Sequence, residues 1–338
     1  MHSLQTWAAA HKEKLLVLFV LSIFLGCSIV LQGYSIVQVV NLVFIEQETF
    51  SSTFAFLFLL VVAILLRLFT QFSMNRIGGT LAERVKISVR QTLLQHWTQN
   101  AMEAQMTTQT GEKVTLLIDT VDQLESYYRE YIPQIIKTTV VPLIILIAVF
   151  MTHTTSGWIM LVTVPFIPIT YIIIGMQTQK KSEEQLVAMN KFSGKFLDLL
   201  QGLQTIRLFG QSKKQEQVLE ASNKGFMERT LSVLKIAFAS TLFIEFITTL
   251  GVGLVALEIG FKMIVFQSLA FAPAFFVLTM APEFYNSLKE LGAAFHTGRG
   301  SLGAVAIIEE QLQTPFEPVR WGDKPIATQP QLSLQNVT

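Results

Sequence analysis

Six apolar stretches, each long enough to cross a lipid bilayer, limit the folds that this chain can adopt. A helix needs about 20 apolar residues to span the hydrocarbon core. Stretches of that length lie near residues 15–44, 51–73, 132–152, 157–176, 236–259 and 268–288. Composition agrees, because only 14% of the 338 residues are charged, against about 25% in soluble domains. The sequence therefore predicts an all-α membrane protein with six transmembrane helices.

Prolines interrupt two of these stretches. Pro133 and Pro142 fall in the third stretch, and Pro165 and Pro168 fall in the fourth. Proline removes a backbone donor, but membrane helices tolerate it where neighbouring groups satisfy the freed carbonyl. We therefore expect both stretches to span the membrane.

The connections between the stretches alternate in length. Residues 45–50, 153–156 and 260–267 are short connections, whereas 74–131 and 177–235 are long and hold most of the charge. Of the 25 lysines and arginines, only Lys262 lies in a short connection. Because cytoplasmic connections are enriched in Lys and Arg, both long connections and both termini are predicted to be cytoplasmic.

Apolar residues recur at helical spacing within the long connections. One series follows the second apolar stretch, one precedes the third and one follows the fourth: Leu81, Val85, Val89, Leu93 and Trp97; Val114, Leu117, Val121, Leu124 and Tyr128; and Leu186, Met189, Phe192, Phe196, Leu199, Leu203 and Ile206. Such stripes form the cores of packed helices. The membrane helices are therefore predicted to continue into the cytoplasm as a bundle, the second helix being roughly 70 Å long at about 1.5 Å per residue.

Each cytoplasmic extension has to reverse its direction once. The segments 99–113 and 208–217 contain the possible helix breakers Gly111 and Gly210. These segments are either solvated tips of helical hairpins or a docking surface for a soluble domain. Residue spacing alone does not decide between the two.

The chain has a single cysteine, Cys27, inside an apolar stretch. One cysteine excludes an internal disulfide and a multi-cysteine metal site. We expect Cys27 to be buried as a small hydrophobic residue, and we predict no metal site.

The last eleven residues, TQPQLSLQNVT, differ from everything before them. Leu332, Leu334 and Val337 alternate with polar residues, which predicts the beginning of a β-strand. A lone strand is not stable in water. The predicted organisation is therefore a membrane domain over residues 1–315, a linker over 316–331 and the first strand of a further domain over 332–338.

Three segments carry a resemblance to a known family. They are TGEKVTLLIDTVDQLESYYREYIPQ (110–134), SGKFLDLLQGLQTIRLFGQ (193–211) and APEFYNSLKELGAAFHTGRGSLGAVAIIEE (281–310). With the six stretches and the two long extensions, they resemble the transmembrane domain of ATP-binding-cassette exporters, and more narrowly the CydD-type subunit of the bacterial thiol-reductant exporter. The resemblance covers nearly the whole chain, and the third segment is the most specific to that family.

The resemblance implies that residues 332–338 open a nucleotide-binding domain. No phosphate-binding loop of the G-x-x-x-x-G-K-[ST] type occurs in the chain itself. In SGKF (193–196), Phe196 replaces the hydroxyl residue and no glycine stands five residues before Gly194. This chain alone is therefore expected to have no ATPase activity, and ATP and Mg²⁺ would bind to the nucleotide-binding domain.

The resemblance also implies a function. The intact subunit would form a helix-swapped dimer with a CydC-type subunit or with a second copy, in the bacterial inner membrane. It would export glutathione or cysteine and support cytochrome bd assembly. The two tips would be coupling helices that contact the nucleotide-binding domains through Gln105, Thr108, Gly111, Phe209, Gly210 and Gln211. Haem is possible by resemblance only, without an assigned ligand, and no nucleic-acid partner is expected.

Ionisable residues at membrane depth are candidates for the substrate cavity. A charge in hydrocarbon costs a few kcal/mol or more, so Arg67 is expected either to bind a substrate carboxylate or to have a structural partner such as Glu245. Glu245 is alternatively a helix–helix ion pair or a protonated acid. Glu283 lies beside Pro282, at a possible kink.

Three further cations extend this set of candidates. Arg129 and Lys137 lie where the third stretch begins, and Arg76 lies nine residues after Arg67. They either belong to an interfacial belt or line the inner mouth of the cavity and attract anions.

Three rival functions remain open from the sequence. An exporter of lipids or drugs would have an apolar cavity in which Arg67 is dispensable. Half of a secondary transporter would not need two long extensions. A membrane sensor would need no polar path through the bundle.

Overall fold

The computed structural model describes residue 7 and residues 12–48, 50–99, 110–299 and 301–313. The α-helices are α1 Lys12–Val40, α2 Phe50–Gln99, α3 Thr110–Thr115, α4 Ile132–Thr152, α5 Thr154–Thr163, α6 Phe166–Gln201, α7 Leu203–Leu208, α8 Ser212–Gly260, α9 Phe271–Arg299 and α10 Ser301–Gln313. Short π-helical segments of five residues each cover Asn41–Ile45, Leu116–Thr120, Tyr127–Tyr131 and Phe261–Val265. Within these ranges there is no β-strand, which confirms the all-α prediction. The predicted linker and terminal strand lie outside the described residues.

Four helical segments are long and apolar enough to cross a membrane: Lys12–Ile45, Phe50–Thr98, Tyr127–Thr152 and Ser212–Val265. They contain the predicted first, second, third and fifth spans, so the membrane-spanning character is confirmed. The predicted fourth span is divided, because α5 ends at Thr163 and α6 begins at Phe166. Pro165 lies at this break and has no backbone N–H to continue the helix. The sixth predicted span overlaps α9 over residues 271–288, and the total of six stays a prediction.

Helix α2 is a single element of 50 residues. At about 1.5 Å per residue it is roughly 75 Å long, more than twice the thickness of a hydrocarbon core of about 30 Å. Its second half buries an apolar stripe against the segment 116–128 and against α10; the buried residues are Leu81, Val85, Val89, Leu93, Leu116, Val121, Leu124, Tyr128, Ala304, Val305 and Ile308. The first two predicted stripes therefore form a core, except that Val114 is exposed.

Among the side chains that the structure describes, the third predicted stripe forms no core, and the side chain of Leu186 lies outside the described set. The stripe lies on the arm, which we define as residues 181–239 of α6, α7 and α8. No described side chain of the arm is buried, and Phe196 and Leu203 are exposed. The reason is geometric, because α6 and α8 pack on each other here and two helices cover only the seam between them. Phe192 stacks on Phe226 across that seam, with ring centroids 6.0 Å apart.

Glycines let α1 approach its neighbours closely in the membrane core. A Cβ atom on Gly26 would lie 2.7 Å from Ile144 Cδ1, and one on Gly33 would lie 2.1 Å from Met280 Cε. Small residues of this kind allow membrane helices to pack with close backbones. Cys27, the neighbour of Gly26, is exposed. The expectation that Cys27 is buried is therefore wrong, because Cys27 borders a cavity of about 400 Å³ between α1, α4 and α9.

A polar cluster joins the ends of α4, α5 and α8 where the short connections lie. Lys262 Nζ is 3.1 Å from His153 Nε2, His153 Nδ1 is 2.8 Å from Ser156 Oγ, and Ser156 Oγ donates to Glu258 Oε2 at 2.7 Å. An ammonium group only donates hydrogen bonds, so the ring nitrogen that faces Lys262 is an acceptor, and an imidazole with an accepting nitrogen carries only one ring proton. The cluster therefore requires a neutral imidazole.

This requirement predicts a pH-dependent stability. Burial lowers the pKa of His153, the positive charge of Lys262 acts in the same direction, and Glu258 acts against them. An unfolded histidine binds a proton below about pH 6.5, whereas the lowered pKa of His153 disfavours protonation in the folded cluster. The cluster therefore contributes stability above that pH, and this contribution is lost as the pH falls. We expect the melting temperature of the full-length protein in lipid nanodiscs to fall between about pH 8 and about pH 5. The fall should be smaller in His153→Asn, and equal falls in both proteins would contradict the assignment.

Candidate functional site

Polar side chains of α9 lie along one face of the helix. Glu283, Asn286, Ser287 and Glu290 follow one another at the i, i+3, i+4 and i+7 spacing that places residues on one side. They line a narrow cavity of about 60 Å³ together with residues of α1, α2 and α4, which are Leu25, Ile29, Arg67, Gln71, Lys137 and Val141. We call this the narrow cavity. Three of the four helices that line it, α1, α2 and α4, belong to segments that are long and apolar enough to cross a membrane.

Arg67 forms a two-pronged ion pair with Glu283. The Nη1 and Nη2 atoms of Arg67 donate to the two carboxylate oxygens of Glu283, each at 3.0 Å. Nη1 also donates to Gln32 Oε1 at 3.0 Å, so the guanidinium joins α1, α2 and α9. The alternative in which Glu245 neutralises Arg67 is wrong, because Glu245 accepts a hydrogen bond from Lys289.

A second ion pair lines the same cavity. Lys137 Nζ donates to Glu290 Oε2 at 2.5 Å, and Gln134 Nε2 donates to the same oxygen at 3.2 Å. The Lys137 side chain is 16% exposed, whereas that of Glu290 is 53% exposed. The ammonium group of Lys137 is therefore held inside the bundle, whereas the more exposed carboxylate of Glu290 has space to move away from it.

The narrow cavity adjoins a wide cavity of about 520 Å³. Both cavities are lined by Leu25, Gln71, Lys137 and Glu290. Additional polar residues around the wide cavity are Asn75, Arg129, Glu130 and Gln134. Its volume lies in the range of about 300–1,000 Å³ that is usual for small-molecule sites. The two cavities together form a polar recess that ends at the Arg67–Glu283 pair.

Arg129 and Arg76 lie further from that pair. Arg129 is at the rim of the wide cavity and donates to Glu125 at 2.8 Å. Arg76 lines a separate cavity of about 440 Å³, which Arg129 also borders. Lys86 donates to Asp122 at 3.0 Å and to Glu125 at 2.7 Å, and these hydrogen bonds hold the pKa of both carboxyl groups below their usual values. This network attaches the extension of α2 to the segment that precedes α4.

The structure thus brings together some of the predicted site residues and separates others. Arg67, Lys137 and Glu283 line the narrow cavity, and Arg129 borders the wide one. Glu245 lies in its own ion pair with Lys289. Whether any of these residues contacts a substrate stays a prediction.

Sequence reasoning missed several residues of the recess. The missed residues are Gln32, Gln71, Gln134, Asn286 and Ser287, and Glu290, which was expected to lie solvated near the cytoplasmic end of its helix, lines both cavities. A signal for most of them was present, because α9 carries four polar residues on one helical face and α2 carries Gln71 one turn after Arg67. Only charged residues were considered as candidates for the cavity, so the uncharged polar residues were missed.

In the second predicted coupling segment, residues 209–211 form an exposed turn between α7 and α8, and residues 212–217 are the start of α8. Gly210 has a φ of +65°, a left-handed conformation that glycine adopts without strain. The preceding Leu208 and Phe209 are 85% and 74% exposed, so the turn presents apolar side chains. Gly111 lies in α3, whereas Gln105 and Thr108 lie outside the described residues. The docking role of both tips stays a prediction.

The comparisons with known proteins all indicate the same protein family. Residues 15–287 match the ABC transporter transmembrane region. The glutathione/L-cysteine transport system ATP-binding/permease protein CydD of Haemophilus influenzae is 28% identical over 99% of this chain and 59% of its own length. CydD of Escherichia coli is 26% identical over 92% of this chain and 54% of its own length. CydC of Bacillus subtilis, of the same transport system by name, is 29% identical over 64% of this chain and 39% of its own length. The chain thus spans little more than half the length of the CydD relatives that it matches.

Proposed function

The chain belongs to the ABC transporter transmembrane family, and on this basis we propose that it is the CydD-type membrane half of an exporter for a small thiol such as glutathione or cysteine. The polar recess with Arg67 at its inner end carries this proposal. A guanidinium binds a carboxylate through two parallel hydrogen bonds, and both thiols carry carboxylates. A cavity for lipids or apolar drugs would not need two ion pairs. The names of the CydD and CydC relatives support the same substrate class.

The proposed assembly contains a second ABC subunit, either of CydC type or a second copy. The arm supports this, because none of its described side chains is buried and α6 and α8 form a groove of about 720 Å³ between them. A helix-swapped dimer would cover this groove with helices of the partner. The nucleotide-binding domains, which bind ATP and Mg²⁺, would contact the tips around residues 99–113 and 208–217.

The proposed location is the bacterial inner membrane, with both termini in the cytoplasm. The concentration of Lys and Arg in the long connections supports this orientation. Roles in cytochrome bd assembly and in haem binding rest on the resemblance alone and stay predictions. Among the described residues no group of three or more His, Cys, Asp or Glu side chains is arranged to hold a metal ion.

ATP-dependent uptake of radiolabelled glutathione and cysteine into inverted membrane vesicles tests the proposed function. The vesicles contain the full-length protein that carries this chain, together with its partner subunit. We expect uptake with ATP and none with a non-hydrolysable ATP analogue. Active ATP hydrolysis without uptake of either thiol would contradict the substrate class, and would favour an exporter of another compound.

A further inference from the structure

The two long helices of the arm, α6 and α8, are both attached to α9 at one residue, Lys289. The hydroxyl group of Tyr171, in α6, donates a hydrogen bond to the backbone oxygen of Lys289 at 2.7 Å. The side chain of Lys289 forms an ion pair with Glu245, in α8. Tyr171 lies ten residues before the arm, and Glu245 lies six residues after it. The two helices therefore contact α9 near the positions where the arm leaves the bundle.

The contact between α6 and α9 is closely packed as well as polar. A Cβ atom on Gly292 would lie 1.7 Å from two ring atoms of Tyr171, so the absence of a side chain at Gly292 leaves the space that the ring occupies. Closely packed groups transmit displacement, because they have no free volume in which to move past each other. A shift of α6 should therefore displace this turn of α9.

The same turn of α9 also borders the polar recess. Glu290 follows Lys289 directly, lines both cavities and accepts a hydrogen bond from Lys137 of α4. Three residues before Glu290, the backbone oxygen of Ser287 accepts a hydrogen bond from Thr138 Oγ1 of α4 at 3.0 Å. Within four residues, α9 is thus joined to α4 at the recess and to α6 and α8 at the arm. A displacement of this turn should change the separation of Lys137 and Glu290.

A proline gives α9 a position at which it can bend. Pro282 lies inside the helix and cannot donate the helical hydrogen bond to the backbone oxygen of Leu278. Sharp bends of helices occur at such prolines. Lys289 lies seven residues beyond Pro282, about two helical turns. The part of α9 that carries Lys289 and Glu290 is therefore able to move relative to the part before Pro282.

The arm is long enough to act as a lever on this part of α9. The exposed turn at residues 209–211 is separated from Glu245 by residues 212–245 of α8, roughly 50 Å at about 1.5 Å per residue. Helices α6 and α8 pack on each other, so the arm can move as one unit. Under the proposed function, the nucleotide-binding domains contact this turn, and their movement reaches α9 through the two attachments.

We propose that Lys289 is a positioning residue of the transport cycle, through which the arm moves the part of α9 beyond Pro282 and opens or closes the recess between Lys137 and Glu290. This inference rests on the proposed function and concerns how movement reaches the recess, not which compound binds there. Lys289 is not among the residues that line the two cavities. Its loss should therefore leave ligand binding intact and reduce the transport that each ATP hydrolysis drives.

Labelled glutathione uptake and ATP hydrolysis, measured together in the vesicle assay on the full-length protein with its partner subunit, test this inference. Lys289→Gln removes the ion pair with Glu245, and Tyr171→Phe removes the hydrogen bond to α9. Each variant should keep the wild-type basal ATPase rate and the wild-type KM for glutathione. Uptake per ATP hydrolysed should fall about five-fold, the effect of losing one hydrogen bond in one of two conformations. Lys289→Arg, which keeps the charge, should retain the wild-type ratio.

Two further variants are matched controls. Thr170→Val removes a hydroxyl group next to Tyr171 that donates to the backbone oxygen of Phe166 in its own helix. Glu184→Gln breaks an ion pair with Arg229 that joins α6 and α8 inside the arm. Neither variant changes an attachment to α9, so both should keep the wild-type ratio of uptake to ATP hydrolysis.

The ratio of uptake to ATP hydrolysis does not depend on the amount of inserted protein, so misfolding alone does not change it. A wild-type ratio in both Lys289→Gln and Tyr171→Phe would overturn this inference and leave the proposed function intact. A raised KM at an unchanged ratio would also overturn it, since Lys289 would then act on the ligand. Absence of thiol uptake by the wild type, despite ATP hydrolysis, would overturn both.

Discussion

Replacing Gly78 with alanine should destabilise the protein by about 1–3 kcal/mol, the usual cost of overpacking. Gly78 is buried in α2, and a Cβ atom there would lie 2.6 Å from the backbone oxygen of Arg129 and 3.0 Å from Pro133 Cγ. A backbone carbonyl cannot turn away as a flexible side chain does. The methyl group would therefore push α2 away from the segment that carries Arg129, at the rim of the wide cavity.

Gly79 is the matched control for this substitution. A Cβ atom on Gly79 would meet no atom within 4 Å, and alanine is favoured over glycine inside a helix by up to about 1 kcal/mol. The melting temperature of the full-length protein in nanodiscs should therefore fall for Gly78→Ala and stay equal or rise for Gly79→Ala. Equal melting temperatures of the two variants would contradict the packing of α2 described here.

Removing one partner of the Arg67–Glu283 pair should have the second large effect. Breaking a buried ion pair costs about 3–5 kcal/mol when the remaining charge is fully buried. Because the two side chains are 30% and 32% exposed, solvent screening reduces this to about 1–3 kcal/mol. Arg67→Gln and Glu283→Gln should each lower the melting temperature.

The double variant shows whether Arg67 and Glu283 stabilise the fold through their interaction with each other or independently. Arg67→Gln combined with Glu283→Gln leaves no unpaired charge and keeps two amides that are able to hydrogen bond. It should therefore lose less stability than the sum of the single variants. A loss equal to that sum would show that the two residues do not stabilise the fold through each other.

The parts of the fold that the sequence predicted are those that local periodicity encodes. The spacing of Leu81, Val85, Val89 and Leu93 predicts a continuous helix with one buried face, and α2 has both. Periodicity shows which residues share a face, but it does not show what covers that face. For this reason the stripe around Phe196 was expected in a core, although the part of the chain that the structure describes leaves Phe196 exposed.

Partners across helices could not be predicted in the same way. Arg67 and Glu283 are separated by 216 positions in sequence, and their contact depends on how α2 and α9 are rotated and shifted in the bundle. From the sequence, Glu245 was an equally reasonable partner. Hydropathy and charge identify the candidate residues for an ion pair, whereas the packing of the helices determines which of these residues are in contact.

The claim that the Arg67–Glu283 pair faces the transported thiol is tested most directly by labelled glutathione uptake in the double glutamine variant. This variant removes both charges without leaving one unpaired, so a defect in transport is separated from misfolding. We predict that it inserts into the membrane and hydrolyses ATP without substrate at the wild-type rate, but that uptake falls at least about ten-fold. Uptake at the wild-type rate would contradict the claim and would leave the pair a structural link between α2 and α9.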